Sequence, residues 1–236
     1  MCGRYATTRS SGELSVLFES SDDTDGVLRP DHNVAPTDTV PLVRVSSEGH
    51  RSLCAGRWGL LPHWSRSAAG AARMINARAE TVATSRAYAP SFSRRRCLVP
   101  ADGWYEWVRL PDGGRQAYYM TPSDGSVLAL AGIWSVWESG ADTRLTFSVL
   151  TTAALGDLAE VHDRMPVLLP PERWSAWLAP TDEPERLLIP ASPERLAGLE
   201  IRPVGAAVGD VRNDGPQLTV RVSVAPATTP QELTLF

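Results

Sequence analysis

The stretch 94-RRRCLVPADGWYEWVR-109 contains two short runs of apolar and aromatic residues on either side of a Pro-Ala-Asp-Gly segment. Such runs are typical of β-strands, and a Pro/Asp/Gly cluster is a strong signal for a change of chain direction. We therefore predict two consecutive strands that are broken at Pro100–Gly103.

Glu106 lies in the second of these strands, among three aromatic residues. Alternation along a strand places Glu106 on the same face as Trp104, with Tyr105 and Trp107 on the other face. A carboxyl group in an apolar setting has a raised pKa, which suits it to proton transfer. Glu106 is therefore a candidate acid–base residue, although an exposed carboxylate on a strand is the alternative.

Outward from this stretch, further strands and a few short helices follow in non-alternating order. Strand-like segments are 39–45, 52–60, 115–120, 127–134, 145–151 and 165–169, and helix-like segments are 12–20, 77–83, 151–162, 170–178 and 192–199. This order predicts an α+β fold, a single domain with a mainly antiparallel, barrel-like β core flanked by short helices. We expect the domain to span 2–224 and to be followed by a loose tail at 225–236.

Composition limits the class of protein. The 236 residues are 43% hydrophobic, which is enough for a sizeable core, and no apolar run approaches the roughly 18 residues that span a bilayer. We find no signal-peptide pattern, so we expect a cytoplasmic protein without membrane association. Cys2, Cys54 and Cys97 are too few and too scattered for a disulfide framework or a zinc site. We expect neither a metal nor a cofactor.

Positive charge is concentrated in one segment. Between Arg57 and Arg96 there are eight arginines and one acid, Glu80, so the segment carries +7; the whole chain carries −4, and the remainder therefore −11. This sorting indicates a local anionic partner on an otherwise acidic protein. Solvated surface arginines without such a partner are the alternative.

The chain begins MCGRYA and contains no lysine. Arginine is not a nucleophile at neutral pH, so sites that depend on lysine, such as a P-loop, a pyridoxal-phosphate site or a lysine Schiff base, are excluded. If Met1 is removed, Cys2 carries a thiol and a free α-amine on neighbouring carbons. We expect this aminothiol to be the group that attacks a carbonyl.

Two further segments contain polar residues suited to chemistry. Asn76 lies within RMINARAET, where it could orient a substrate or the N-terminus, and an asparagine at a helix cap is the alternative. His162 follows a predicted helix in EVHDRMPV and is the best placed of four histidines for acid–base work, with a purely structural histidine as the alternative. Trp64 lies beside Arg66, an arrangement that proteins use to stack unpaired bases, although core packing would also explain it.

Five stretches together carry a resemblance to a known family: MCGRYA, RWGLLPHW, NARAET, RRRCLVPADGWYEW and VHDRMPV. In this order they resemble the SOS response-associated peptidase (SRAP) family of abasic-site-processing proteins, from residue 2 to the VGDVRND segment that ends at Asp214. The resemblance implies four catalytic residues, Cys2, Asn76, Glu106 and His162. It also implies DNA contacts by Arg4, Arg78, Arg86 and Trp64.

The resemblance further implies a covalent function. A family member is expected to crosslink to abasic sites in single-stranded DNA, through a Schiff base and then a thiazolidine at Cys2, and so to protect the lesion during the DNA damage response. Lyase and autoproteolytic activities and a monomeric state are further expectations. The sequence departs from the family pattern near Gly209, where we expect an asparagine. This departure affects the DNA contact expected of that loop and not the catalytic residues.

Three other functions stay open at this point. Class II glutamine amidotransferases also begin with Met-Cys-Gly, but they need an Asn-Gly element and this chain has no such dipeptide. A thiol peptidase could use Cys2, His162 and Asn76. A non-enzymatic protein that binds single strands could use the segment from Arg57 to Arg96.

Overall fold

Strands dominate the part of the chain that the computed structural model describes, residues 2–140 and 142–223. In the described residues the strands are β1 Arg4–Thr7, β2 Ser21–Asp23, β3 Asp31–Val34, β4 Thr39–Val45, β5 Arg51–Trp58, β6 Asn76–Arg78, β7 Arg96–Ala101, β8 Gly103–Arg109, β9 Arg115–Pro122, β10 Leu128–Ser139, β11 Asp142–Ala153, β12 Arg164–Pro166 and β13 Leu199–Val204. The α-helices are α1 Ser11–Phe18, α2 Ala89–Arg94, α3 Leu158–Val161, α4 Pro171–Leu178 and α5 Pro193–Ala197.

Five strands close into a barrel in the order β11-β10-β7-β4-β5. Four of the five contacts are antiparallel, and a short parallel pairing between β5 and β11, Arg57 with Thr146 and Trp58 with Phe147, completes the ring. One face of these strands shares an apolar cluster with residues of the second sheet, and the other face packs against α1, α2 and α4. The predicted α+β fold with a barrel-like, mainly antiparallel core is confirmed.

The stretch 94–109 connects the barrel to a second sheet of order β13-β9-β8-β1-β3. Its first strand, β7, lies in the barrel, and its second, β8, pairs antiparallel with β1, with Trp104 opposite Tyr5. Only Asp102 separates the two strands. Its N–H donates to the Ala6 carbonyl at 2.8 Å, and its carboxylate accepts from the Thr8 N–H at 2.6 Å. The break in the sequence is therefore where the chain passes from one sheet to the other.

The helix predicted at 77–83 is wrong. Residues Asn76–Arg78 form β6 instead, which pairs parallel with β11, Asn76 opposite Val149. Ala77 is fully buried, and the Ala79 N–H donates to the Thr151 carbonyl at 2.8 Å. Pairing with a neighbouring strand thus outweighs the local helix preference of alanine, arginine and glutamate.

The helix predicted over 151–162 is mostly wrong as well. The two β-branched residues Thr151 and Thr152 continue β11, and only Leu158–Val161 is helical. Gly156 lies between them with φ of +55°, a left-handed conformation that interrupts a helix. The expected tail at 225–236 lies outside the described residues. In the part of the chain that the structure describes, no helix has the length and apolar character needed to cross a membrane.

A substitution at Gly103 tests the close packing of β8 against β9. A Cβ atom at this position would lie 2.4 Å from the Met120 carbonyl oxygen and 2.6 Å from the Tyr119 ring. We expect Gly103→Ala to lower the free energy of unfolding by about 2–3 kcal/mol in urea denaturation. The control is Gly12→Ala on α1, where the added Cβ meets no atom within 4 Å. Equal stability of the two variants would contradict the packing described.

Candidate active site

Cys2 lies two residues before β1, is fully buried, and packs in the apolar cluster that contains Tyr5 and Trp104. The side-chain amide of Asn76 donates to the Cys2 carbonyl with Nδ2 and O 2.6 Å apart. The thiol lies 3.9 Å from the Arg4 carbonyl oxygen. Burial, and next the charge of Glu106, raise the pKa of the Cys2 thiol far above its ordinary value. The sulfur is therefore held in place as a neutral thiol.

Asn76 is fixed by its backbone and presents its side chain to Cys2. The backbone belongs to β6, and the hydroxyl of Tyr88 donates to the Asn76 carbonyl at 3.0 Å. The side-chain Oδ1 is buried and has no hydrogen-bond partner among the described residues. Buried polar atoms are normally paired, so this acceptor is available to a hydrogen-bond donor that enters the site.

Glu106 lies on β8 with only 3% of its surface exposed, and its Oε2 is 4.0 Å from Nε2 of His162. Burial raises the pKa of the Glu106 carboxyl to about 7. Near neutral pH this carboxyl is therefore present in both forms, as proton transfer in either direction requires. The predicted alternative, an exposed strand carboxylate, is wrong.

His162 is the residue that follows α3, and its ring is partly buried. Burial first, and then the positive charge of the chain's amino group, lower the pKa of the His162 imidazole, so the ring is neutral at pH 7. Its Nδ1 accepts a hydrogen bond from the Arg164 backbone N–H at 2.9 Å. When this bond is formed, the neutral ring carries its proton on Nε2, the nitrogen that faces Glu106.

Arg164 and Glu80 form an ion pair beside this site that sequence reasoning missed. The guanidinium donates to both carboxylate oxygens, at 2.7 and 2.9 Å, and to the Thr151 carbonyl at 2.6 Å. The pair joins β12 to the segment after β6, and so holds the NARAE and HDRMP segments together. The available signal was that Glu80 is the single acid between Arg57 and Arg96.

The residues predicted to contact DNA differ in their surroundings. Trp64 is half exposed, and the Arg86 guanidinium lies 5.4 Å from its ring centroid. Arg78 is exposed and follows Asn76 on β6 by two residues. Arg4 instead donates to Asn33 Oδ1 at 2.7 Å and to a carbonyl of the 206–209 turn at 2.9 Å. It also lines an open pocket of about 410 Å³.

The basic segment from Arg57 to Arg96 is not one continuous surface. Arg96 is 4% exposed, and its guanidinium donates to the backbone carbonyls of Phe92, Ser93, Trp177 and Ala179. Arg57 donates to the Thr37 carbonyl at 3.1 Å. Arg96 therefore stabilises the packing of α2 and α4 on the barrel, and counting it toward an anionic partner was wrong. Within the described residues, no group of three or more His, Cys, Asp and Glu could hold a metal ion.

The barrel and these residues define a class of protein: a small α+β protein with a buried, cysteine-centred site that contains two groups suited to proton transfer. Residues 1–211 match the SOS response associated peptidase (SRAP) family, and the chain belongs to it. The sequence resemblance is thereby confirmed.

The names of similar proteins agree with this assignment. The chain is 31% identical over 224 residues to the Abasic site processing protein YedK of Escherichia coli, covering 92% of this chain and 98% of that one. It is 28% identical to the Abasic site processing protein HMCES of Gallus gallus, covering 95% and 79%. A crystal structure of a protein from Bacteroides thetaiotaomicron has the same fold, with a TM-score of 0.80, 23% identity and coverage of 94% and 100%.

The raised pKa of Glu106 has a consequence for stability. Because burial lifts it from 4.5 to about 7, the folded state favours the protonated carboxyl. That contribution is fully present below about pH 4 and is lost as the pH rises through 7. We expect Glu106→Gln, which cannot ionise, to exceed the wild type in free energy of unfolding by about 1–3 kcal/mol at pH 8, and by little at pH 4.

Urea denaturation at both pH values measures this difference. Glu138→Gln removes an exposed carboxylate on β10 and serves as the matched control, with no such dependence expected. If the difference in free energy of unfolding between Glu106→Gln and the wild type is the same at pH 4 and pH 8, burial does not raise the pKa of the Glu106 carboxyl as described.

Proposed function

We propose that this chain binds abasic sites in single-stranded DNA covalently, through the thiol and α-amine of Cys2 after Met1 has been removed. The observation that carries the proposal is the 2.6 Å hydrogen bond from the Asn76 side chain to the Cys2 carbonyl. This bond fixes the backbone of Cys2, whose buried thiol lies near Glu106. The names of the relatives, abasic site processing proteins, supply the substrate class.

The chemistry of an aminothiol with an aldehyde fits this arrangement. The abasic deoxyribose opens to an aldehyde, the Cys2 amine adds to its carbon, and loss of one water gives an imine. The thiol sulfur then adds to the imine carbon, the thiol proton is transferred to the imine nitrogen, and the ring closes to a thiazolidine. Because the buried thiol starts neutral, a base must take that proton at the closure step.

Glu106 and His162 divide the proton transfers in this proposal. Because burial raises its pKa, Glu106 can accept a proton from the amine or thiol and return it to the departing water. His162 serves the ring-opened sugar oxygen, and also any β-elimination that would make the protein a lyase. Asn76 holds the reacting groups in register.

The DNA would be held by arginine contacts to phosphates and by stacking. Arg78 and Arg86 are exposed and can pair with phosphate oxygens. Trp64 offers a ring face to an unpaired base, which favours a single strand because no duplex has to be opened. Arg4 would need to exchange its bond to Asn33 for a phosphate. We propose a monomer that acts without a cofactor.

A peptidase activity is the second candidate, favoured by the family's description and by the joint presence of Cys2, Asn76 and His162. We propose that it is restricted to this chain itself, at Met1 or at the crosslink. Release of peptides from unrelated substrates would contradict this restriction.

Cys2→Ala tests the covalent proposal. The wild type, incubated with an abasic single-stranded oligonucleotide, is expected to give an adduct that survives a denaturing gel. Cys2→Ala should give no thiazolidine, because the sulfur that closes the ring is absent. The control Cys54→Ala removes a buried cysteine that bonds Ser52, and it should crosslink normally. An undiminished stable adduct with Cys2→Ala, or active protein that retains Met1, would contradict the proposal.

Trp64→Ala tests the stacking surface separately from the chemistry. Base stacking contributes about 1–3 kcal/mol per base, so we expect a loss of roughly 5- to 150-fold in affinity for intact single-stranded DNA. Fluorescence anisotropy at fixed salt measures this, with Ile189→Ala, another exposed apolar side chain, as the control. Equal affinities of the two variants would exclude Trp64 from the DNA-binding surface.

A further inference from the structure

Two groups compete for one nitrogen of His162. Nδ1 lies 2.9 Å from the Arg164 backbone nitrogen and 2.9 Å from Oδ1 of Asp163. An imidazole nitrogen either accepts a hydrogen bond through its lone pair or donates one through its proton, and it cannot do both. Nδ1 can therefore satisfy the Arg164 N–H or the Asp163 carboxylate at any moment, but not the two together.

The partner of Nδ1 decides whether Nε2 of the neutral ring carries a proton. When Nδ1 accepts from Arg164, the neutral ring carries its proton on Nε2 and has no basic atom facing Glu106. When Nδ1 carries the proton and donates to Asp163, Nε2 is the unprotonated nitrogen of the neutral ring. For His162 to act as a base and then as an acid through Nε2, Nδ1 must keep its proton in both states, as in other histidines oriented by a carboxylate.

The residues around His162 allow Nδ1 to change between its two partners, the Arg164 N–H and the Asp163 carboxylate. Arg164 is anchored, because its guanidinium is bound to Glu80 and to the Thr151 carbonyl, so its N–H is a fixed donor. Asp163 is 85% exposed on the turn between α3 and β12, so its carboxylate can change rotamer at little cost. The other charged groups that act on the ring are Glu106 on β8, the Arg164 guanidinium and the chain's amino group.

We propose that Asp163 is a positioning residue that selects the Nδ1–H form of His162, so that Nε2 can take up and return a proton in the site. The Arg164 N–H holds the competing form, in which Nε2 is already protonated. In the working cycle the Nδ1 proton stays between His162 and Asp163. A single proton moves onto Nε2 from the reacting group and leaves again from the same atom. This inference rests on the proposed function and adds to it a positioning residue, Asp163, outside the four catalytic candidates.

Nuclear magnetic resonance of the ¹⁵N-labelled protein tests the proposal without DNA, because imidazole ¹⁵N shifts report which nitrogen carries the proton. His162→Ala identifies the signals of His162 among four histidines. We expect the wild type to show a population of the Nδ1–H form that Asp163→Ala lacks. We also expect the pKa of His162 to fall in that variant by about 0.2–0.7 unit, the range for an exposed ion pair. Asp163→Glu should restore both readouts.

Glu160→Gln, which removes an exposed carboxylate from the adjacent helix, is the matched control and should change neither readout. The proposal is overturned if Asp163→Ala leaves the tautomer and pKa of His162 unchanged, or if Glu160→Gln shifts them equally. The crosslinking rate of Asp163→Ala is then compared with the wild type, with a loss of several-fold expected. Failure of the wild type to crosslink would contradict the proposed function and leave the NMR result standing.

Discussion

The antiparallel pairing of β1 with β8 is the contact on which the site depends. It places Tyr5 opposite Trp104, and so brings Cys2, just before β1, to the strand that carries Glu106. The barrel supplies the other side through β6, whose Asn76 binds the Cys2 carbonyl. Neither sheet alone contains the site, and β7 and β8, joined at Asp102, connect the two sheets beside it.

Burial shapes the chemistry more than any single ion pair. The Cys2 thiol and the Glu106 carboxyl have raised pKa values and the His162 imidazole a lowered one, each chiefly because burial disfavours the charged form. Near pH 7 the thiol and the imidazole are therefore neutral, and the Glu106 carboxyl is present in both its protonated and its ionised form. The ion pair between Arg164 and Glu80 lies beside these three groups.

Much of the fold was readable from the sequence because strand signals are local. The segment 39–45 coincides with β4, and the break after β7 follows from Pro, Asp and Gly. The two wrong helices, at 77–83 and 151–162, have alanine-rich sequences whose backbones pair with distant strands, which no local pattern encodes. Likewise the exposure of an arginine depends on its tertiary neighbours, so buried Arg96 and exposed Arg78 look alike in sequence.

The central claim is that Cys2 reacts through both its amine and its thiol. The most direct measurement is tandem mass spectrometry of the N-terminal peptide from the crosslinked protein, after nuclease digestion and alkylation of free thiols. The account predicts a peptide that begins at Cys2, carries the sugar remnant on that residue, has lost one water relative to the sum of its parts, and has a sulfur that does not alkylate. A remnant on another residue, or a Cys2 sulfur that remains free to alkylate, would contradict it.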